Sequence, residues 1–231
     1  MLILPTAKPA AIAAVLFDMD GVVADNTHFH HAAWLQYARE ALGIELAEDA
    51  PRHFYGRTHE VIERLLGRPL AASEAREHHE GKEALYRDLA RGRMQTVRGL
   101  EEYLSWLAER GIPAGLVTNS DAQCMNFVLK ELGVAERFVV KINSEQVTRE
   151  KPDPEPYLLG AAQLGVAPSA CLIHEDTVGG VQAGIAAGAA VAAVTTTVAA
   201  EPLREAGAHW VVADFFHWRA LLASARASAV V

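Results

Sequence analysis

The sequence predicts an α/β protein: a parallel sheet covered by helices and interrupted early by an all-helical insertion. Three observations lead there. Residues 12–17 form a short, wholly apolar run of the kind a doubly covered strand needs. No comparable strand follows over residues 29–92, where apolar residues recur at helical spacing. After Gly99, strand-like and helix-like segments alternate to the end of the chain, which is the pattern of strands joined by helical crossovers.

The elements follow in order. The N-terminal "MLILPTAKPA" is broken by Pro5, Lys8 and Pro9 and reads as a short arm before the first strand, not as a signal peptide. The insertion contains "HHAAWLQYAREALG", "HEVIERLLG" and "SEAREHHEGKEALYRDLARG", each closing near a glycine that can end a helix. Beyond it, "LEEYLSWLAERG", "DAQCMNFVLKELG", "PEPYLLGAAQLG" and "GGVQAGIAAG" have helical periodicity. "IPAGLVTN", "RFVVKI", "ACLIHED", "AAVAAVT" and "HWVVADF" read as strands, and a short helix ends the chain, with "LLASARASAVV" as its fraying end. The domains expected are a core of residues 1–27 with 96–231 and a helical unit of residues 28–95.

Bulk properties narrow the function. The 231 residues suffice for one large core and a smaller insertion, and 51% hydrophobic with 22% charged residues is an ordinary globular composition. A formal net charge of -8 argues against nucleic acid, whose backbone needs a basic surface. No stretch has the roughly 18 apolar residues of a membrane span. Cys124 and Cys171 have no metal or CxxC spacing, so buried thiols and a reducing, cytoplasmic setting are expected. A monomer is expected.

In a parallel α/β sheet, ligands bind beyond the carboxyl ends of the strands. The first strand runs into Asp18-Met19-Asp20-Gly21, with Asp25 shortly after. Alternate residues of an extended chain point the same way, so Asp18 and Asp20 can face one bound group. Two like charges about 4 Å apart, at an effective dielectric near 20, repel by about 4 kcal/mol. A domain's whole stability is only about 5–15 kcal/mol. A cation or a reaction has to justify that arrangement. The next strand ends in Thr118-Asn119-Ser120, where hydroxyls and helix N-terminal amides can hold an anion. Lys151 follows in a loop, held by Pro152, and a later strand ends in His174-Glu175-Asp176-Thr177. Taken singly, each is explained by a helix cap or a solvated loop. Together they supply what phosphoryl transfer requires: an oxygen nucleophile, carboxylates suited to Mg²⁺, and fixed positive groups.

These motifs resemble those of the haloacid dehalogenase superfamily. "FDMDGV", "TNS", "KPDPEPY" and "HEDTVGGVQAG" occur in its order between residues 15 and 188, and the helical insertion is similar to that superfamily's small cap. The nearest branch is the β-phosphoglucomutase-like one, rich in sugar-phosphate phosphatases. The resemblance implies a Rossmann-like parallel-sheet core with an inserted helical cap. It implies Asp18 as the nucleophile that becomes an aspartyl phosphate and Asp20 as general acid and base. Thr118 and the Asn119 amide would hold the phosphoryl group, and Lys151 would bridge it to Asp18. Mg²⁺ would sit on Asp18, the Asp20 carbonyl and Asp176, with Glu175 assisting.

In the cap, His30 lies twelve residues after Asp18, as in the mutase branch, and Lys82 sits in a matching "GKEALY" context; the resemblance implies that both face the active site when the cap closes. In "GRTHE", His59 stands where the mutase has an arginine that grips a second phosphate, and Arg57 lies two residues earlier. A neutral imidazole holds a dianion less well than a guanidinium fork. The expected activity is therefore a Mg²⁺-dependent phosphatase of a small phosphorylated metabolite such as a sugar phosphate, with a sugar phosphomutase as the alternative. A phospho-acceptor receiver module is more remote, being about half as long and without a helical insertion. A true dehalogenase needs neither Asp20 nor a metal. The other cap histidines, His28, His31, His78 and His79, are expected to be solvated.

Overall fold

A computed structural model describes residues 12–54 and 56–227; the N-terminal arm, and the last residues of the expected fraying helix, lie outside them. The chain divides into two compact units. One runs up to Asp25 and resumes at Met94; the other is Asn26–Arg93.

The first unit is built on β1 (Ala14–Phe17), β2 (Ala114–Val117), β3 (Val140–Ile142), β4 (Cys171–Glu175), β5 (Ala190–Val194) and β6 (Trp210–Val212). They make one six-stranded sheet in the order β3-β2-β1-β4-β5-β6, with every pair parallel. The apolar strand sequences fit that position, since a sheet covered on both faces has no wet side. Side chains of Leu16, Val117, Ile142, Ile173, Val191 and Ala193 join one buried cluster with Tyr157, Ala161 and Val181. Phe17 belongs to an aromatic group of Tyr103, Phe138, His174 and Phe215, with ring centroids 5.1–6.0 Å from its own. His174 is fully buried there, and burial pushes its imidazole down to about 3, so the ring is neutral.

Register places the site. Phe17 pairs with Leu116 on one side and His174 on the other. One step further on, Asp18, Val117 and Glu175 therefore stand level at the carboxyl ends of the three central strands. The strands are shorter than the sequence suggests: β2 stops at Val117, before the polar Thr118-Asn119, and Phe215 opens a helix instead of closing β6.

The helices of this unit are α4 (Leu100–Ala108), α5 (Ala122–Leu132), α6 (Glu155–Gln163), α7 (Val178–Ala186), α8 (Ala200–Glu205) and α9 (Phe215–Ala227). The six-residue α8 is absent from the sequence reading, being too short for periodicity to register. Cys124 and Cys171 are buried free thiols, as expected, and burial pushes Cys171 up to about 11.

The second unit contains α1 (Thr27–Leu42), α2 (Thr58–Leu66) and α3 (Ala72–Ala90). Trp34, Val61 and Ile62 form its small core, with Phe54, Leu65 and Leu70 packed against it. Gly43 and Gly67 end α1 and α2 with φ of 68° and 67°, a left-handed turn that a glycine takes without steric cost. No described helix is long and apolar enough to cross a membrane.

Candidate active site

Lys151 organises the strand tips. Its Nζ lies 2.5 Å from Asp18 Oδ1, 2.8 Å from the Val117 carbonyl and 2.8 Å from Glu175 Oε1. An ammonium has three N–H bonds, and these are its three acceptors. One side chain thus ties together the level positions of β2, β1 and β4. The Lys151 backbone is clasped in turn by the Asn119 side chain, whose amide donates to the Lys151 carbonyl at 3.2 Å and accepts from the Lys151 N–H at 3.1 Å. Lys151 is joined to Pro152 by a cis peptide. The loop is further fixed by Glu155, which accepts from the Thr148 and Arg149 amides.

Asp20 is held differently. Ser120 Oγ donates to Asp20 Oδ2 at 3.0 Å. The next residue, Gly21, turns the chain at φ 77°, and a Cβ there would overlap the carboxylate of Asp176. Thr196 Oγ1 donates to the Gly21 carbonyl. Asp25 is exposed.

Thr118 is buried, and its Oγ1 accepts from the Ser120 amide at 3.0 Å, leaving its O–H to donate elsewhere. Asp121 accepts from the Cys124 amide at 2.7 Å and Glu145 from the Ala122 amide at 3.2 Å.

Carboxylate oxygens of Asp18, Glu175 and Asp176 lie within 4.8 Å of one another, the one such group among the described residues. Their environments differ. Both oxygens of Glu175 face donors: Oε1 takes Lys151 Nζ and the Tyr157 hydroxyl, and Oε2 takes the Asp176 and Thr177 amides and Thr177 Oγ1. Asp176 Oδ1 is buried with no hydrogen-bond partner. An orphan carboxylate oxygen facing other carboxylates suits a hard cation such as Mg²⁺.

Burial raises Asp18 to about 7, with Glu175 and Asp20 adding to the shift and Lys151 opposing it. Burial also raises Asp176 well above the usual carboxylate range, helped by the charges of Asp18 and Glu175 and opposed by a hydrogen bond from Thr197. Burial alone would lower Lys151, but Asp18 and Glu175 outweigh it and keep the ammonium charged.

The second unit brings His30 and Lys82 together. Lys82 Nζ donates to His30 Nδ1 at 3.1 Å and to Glu83 Oε1 at 2.8 Å, and it lies over the rings of Trp34 and Tyr86. Glu83 thus matches the Lys82 charge within the unit. Arg57 is exposed and His59 half-buried at the start of α2, on a different helix from either. His78 and His79 are half-buried instead of solvated: His78 Nδ1 lies 2.9 Å from the Tyr37 hydroxyl, and His79 Nδ1 lies 3.4 Å from Thr58 Oγ1.

Sequence reasoning missed Tyr157, Thr196 and Thr197 as site residues, and it read Ser120 as an anion-holding hydroxyl, not as the partner of Asp20. The threonines follow β5 directly, so inspecting every strand end would have found them.

The family described as haloacid dehalogenase-like hydrolase matches residues 12–188. The chain is 32% identical to N-acetylmuramic acid 6-phosphate phosphatase of Pseudomonas aeruginosa, over 81% of this chain and 83% of that one. It is 32% identical to hexitol phosphatase A of Escherichia coli, over 82% and 86%. The crystal structure of β-phosphoglucomutase from Clostridium difficile superposes with a TM-score of 0.76 at 25% identity, covering 88% of this chain and 91% of that one.

Proposed function

The chain belongs to the haloacid dehalogenase-like hydrolases, and on that premise we propose that it is a Mg²⁺-dependent phosphatase of a small sugar or polyol phosphate. The observation that carries this is the separate support of the two carboxylates on one strand tip. Lys151 holds Asp18, and the neutral hydroxyl of Ser120 holds Asp20. Neighbouring carboxylates with different partners can take different roles.

Asp18 attacks phosphorus as the carboxylate, the form that the Lys151 ammonium favours against burial, and forms an aspartyl phosphate. Asp20 delivers a proton to the departing alcohol oxygen and then takes one from the water that releases phosphate. Thr118 Oγ1 and the Asn119 amide donate to the phosphoryl oxygens. Lys151 spends all three N–H bonds on the protein, so it reaches the phosphoryl group by giving up its bond to Asp18 Oδ1 as the carboxylate becomes the acyl phosphate. Asp18, the Asp20 carbonyl and Asp176 would hold Mg²⁺, with Glu175 beside them. The ion would offset their mutual repulsion and the charge of the phosphoryl group.

Water as the acceptor is supported by the names of the two curated relatives, both phosphatases. It is supported also by Lys82, whose charge Glu83 already matches, and by His59 in place of an arginine. The likeness to β-phosphoglucomutase keeps a mutase as the alternative. One assay separates them: β-glucose 1-phosphate with a trace of the 1,6-bisphosphate, scored for glucose 6-phosphate against free phosphate. The expected result is free phosphate from sugar or polyol monophosphates, abolished by a chelator and restored by Mg²⁺. Rapid formation of glucose 6-phosphate would replace this reading with the mutase.

A further inference from the structure

Tyr157 is buried to 1% exposure beside the strand tips, and nothing above gives it a role. Its hydroxyl donates to Glu175 Oε1 at 2.6 Å, the short range of a hydrogen bond to a charged acceptor. Its ring centroid lies 4.7 Å from Lys151 Nζ. The same Glu175 oxygen is one of the three acceptors of Lys151. The other Glu175 oxygen is tied to the turn that follows β4. The two oxygens of a carboxylate turn together about one terminal torsion, which is soft in itself, so a donor on Oε1 restrains from the opposite side the same torsion that the donors on Oε2 restrain. The phenol supplies the second fixed point. Gly180 closes the remaining side, since a Cβ there would overlap the Glu175 carboxylate.

We propose that Tyr157 is a positioning residue: by fixing Glu175 Oε1 it sets where the Lys151 ammonium sits relative to Asp18. This rests on the reading of Lys151 as a group that holds the phosphoryl oxygens. Because Lys151 spans β2, β1 and β4 at their tips, its displacement moves a positive charge away from the site of attack. Displacements of about 1 Å at a reacting centre can cost up to about 100-fold in rate.

Tyr157→Phe tests this, since it keeps the ring and removes only the donor. Two readouts are taken on the full chain. In the first, Lys151 is labelled competitively with acetic anhydride and quantified by mass spectrometry against Lys130, an exposed lysine on α5. Tyr157→Phe is expected to raise labelling at Lys151 several-fold with Lys130 unchanged. In the second, hydrolysis of p-nitrophenyl phosphate is expected to lose roughly tenfold or more in kcat with KM within about twofold. The loss is expected to vanish when Tyr157→Phe is placed on Glu175→Gln, because the two act through one contact. Unchanged labelling, an unchanged kcat, or losses that multiply in the double variant would each overturn the assignment. So would a Tyr157→Phe chain that does not fold, which would make the hydroxyl a device of folding. If the wild type hydrolyses no phosphate monoester, the phosphatase reading fails, and the labelling result alone decides the role of Tyr157.

Discussion

A carboxylate facing a lysine and one facing a hydroxyl are prepared for different chemistry even two residues apart. Asp18 has the Lys151 ammonium on Oδ1, while Asp20 has Ser120 Oγ on Oδ2. Asn is nearly isosteric with Asp but carries no attacking charge. Asp18→Asn is therefore expected to lower kcat for p-nitrophenyl phosphate by roughly 10⁴-fold or more. Retention of a tenth of the wild-type rate would exclude Asp18 as the nucleophile. The carboxylates themselves were legible in the sequence because charged residues at the end of an apolar run have an electrostatic cost that stands out. Their supports were not. Ser120 meets Asp20 across 100 positions and Tyr157 meets Glu175 across 18, and contacts between such distant residues leave no periodic trace. Asn119 was read as a source of a backbone amide, yet its side chain also clasps the Lys151 backbone.

At the scale of elements, the turn from β4 into α7 carries the most constraint. Thr177 Oγ1 caps α7 by accepting from the Gly180 amide at 3.1 Å and also donates to Glu175 Oε2. Gly180 is helical and has no need of unusual torsions; it is required because Glu175 occupies the space a Cβ would take. Gly180→Ala should cost about 1–3 kcal/mol by overpacking and displace Glu175. A lowered Tm together with a lowered kcat checks this, and a stable, fully active variant would contradict it. The sequence showed the strands and helices of the core because short apolar runs alternate there with segments of helical periodicity, while the ends of β2 and β6 fall earlier than it suggests. It missed α8, whose six residues span fewer than two turns. It also left the strand order undetermined, since periodicity gives no information on which strands are neighbours.

For the whole molecule, the clustered acids link stability to pH and, through the proposed Mg²⁺ site, to metal. Asp18 titrates at about 7 in the folded protein against an ordinary value of 3.8. Between those values the folded state binds more protons than the unfolded one, so its stability falls as pH rises through the window. The raised Asp176 acts in the same direction. His174 acts oppositely: its folded value of about 3 lies below 6.5, so its contribution is lost as pH falls. That contribution is common to metal-free and Mg²⁺-loaded protein and cancels in their difference. The Tm gap between Mg²⁺ and chelator should therefore widen from pH 4 to pH 7, with each kcal/mol appearing as about 2–4 °C. A Tm indifferent to Mg²⁺ across that range would remove the acidic cluster as a metal site.

In the proposed mechanism phosphate passes through Asp18 on its way to water. An acyl phosphate reacts with hydroxylamine to leave a hydroxamate on the carboxyl carbon. The most direct measurement is to quench turnover of a sugar monophosphate with hydroxylamine, digest the protein and map the modified residue by mass spectrometry. The hydroxamate should form on Asp18, only while substrate is present, and not in Asp18→Asn. A hydroxamate on any other residue, or none while phosphate is being released, would contradict the account.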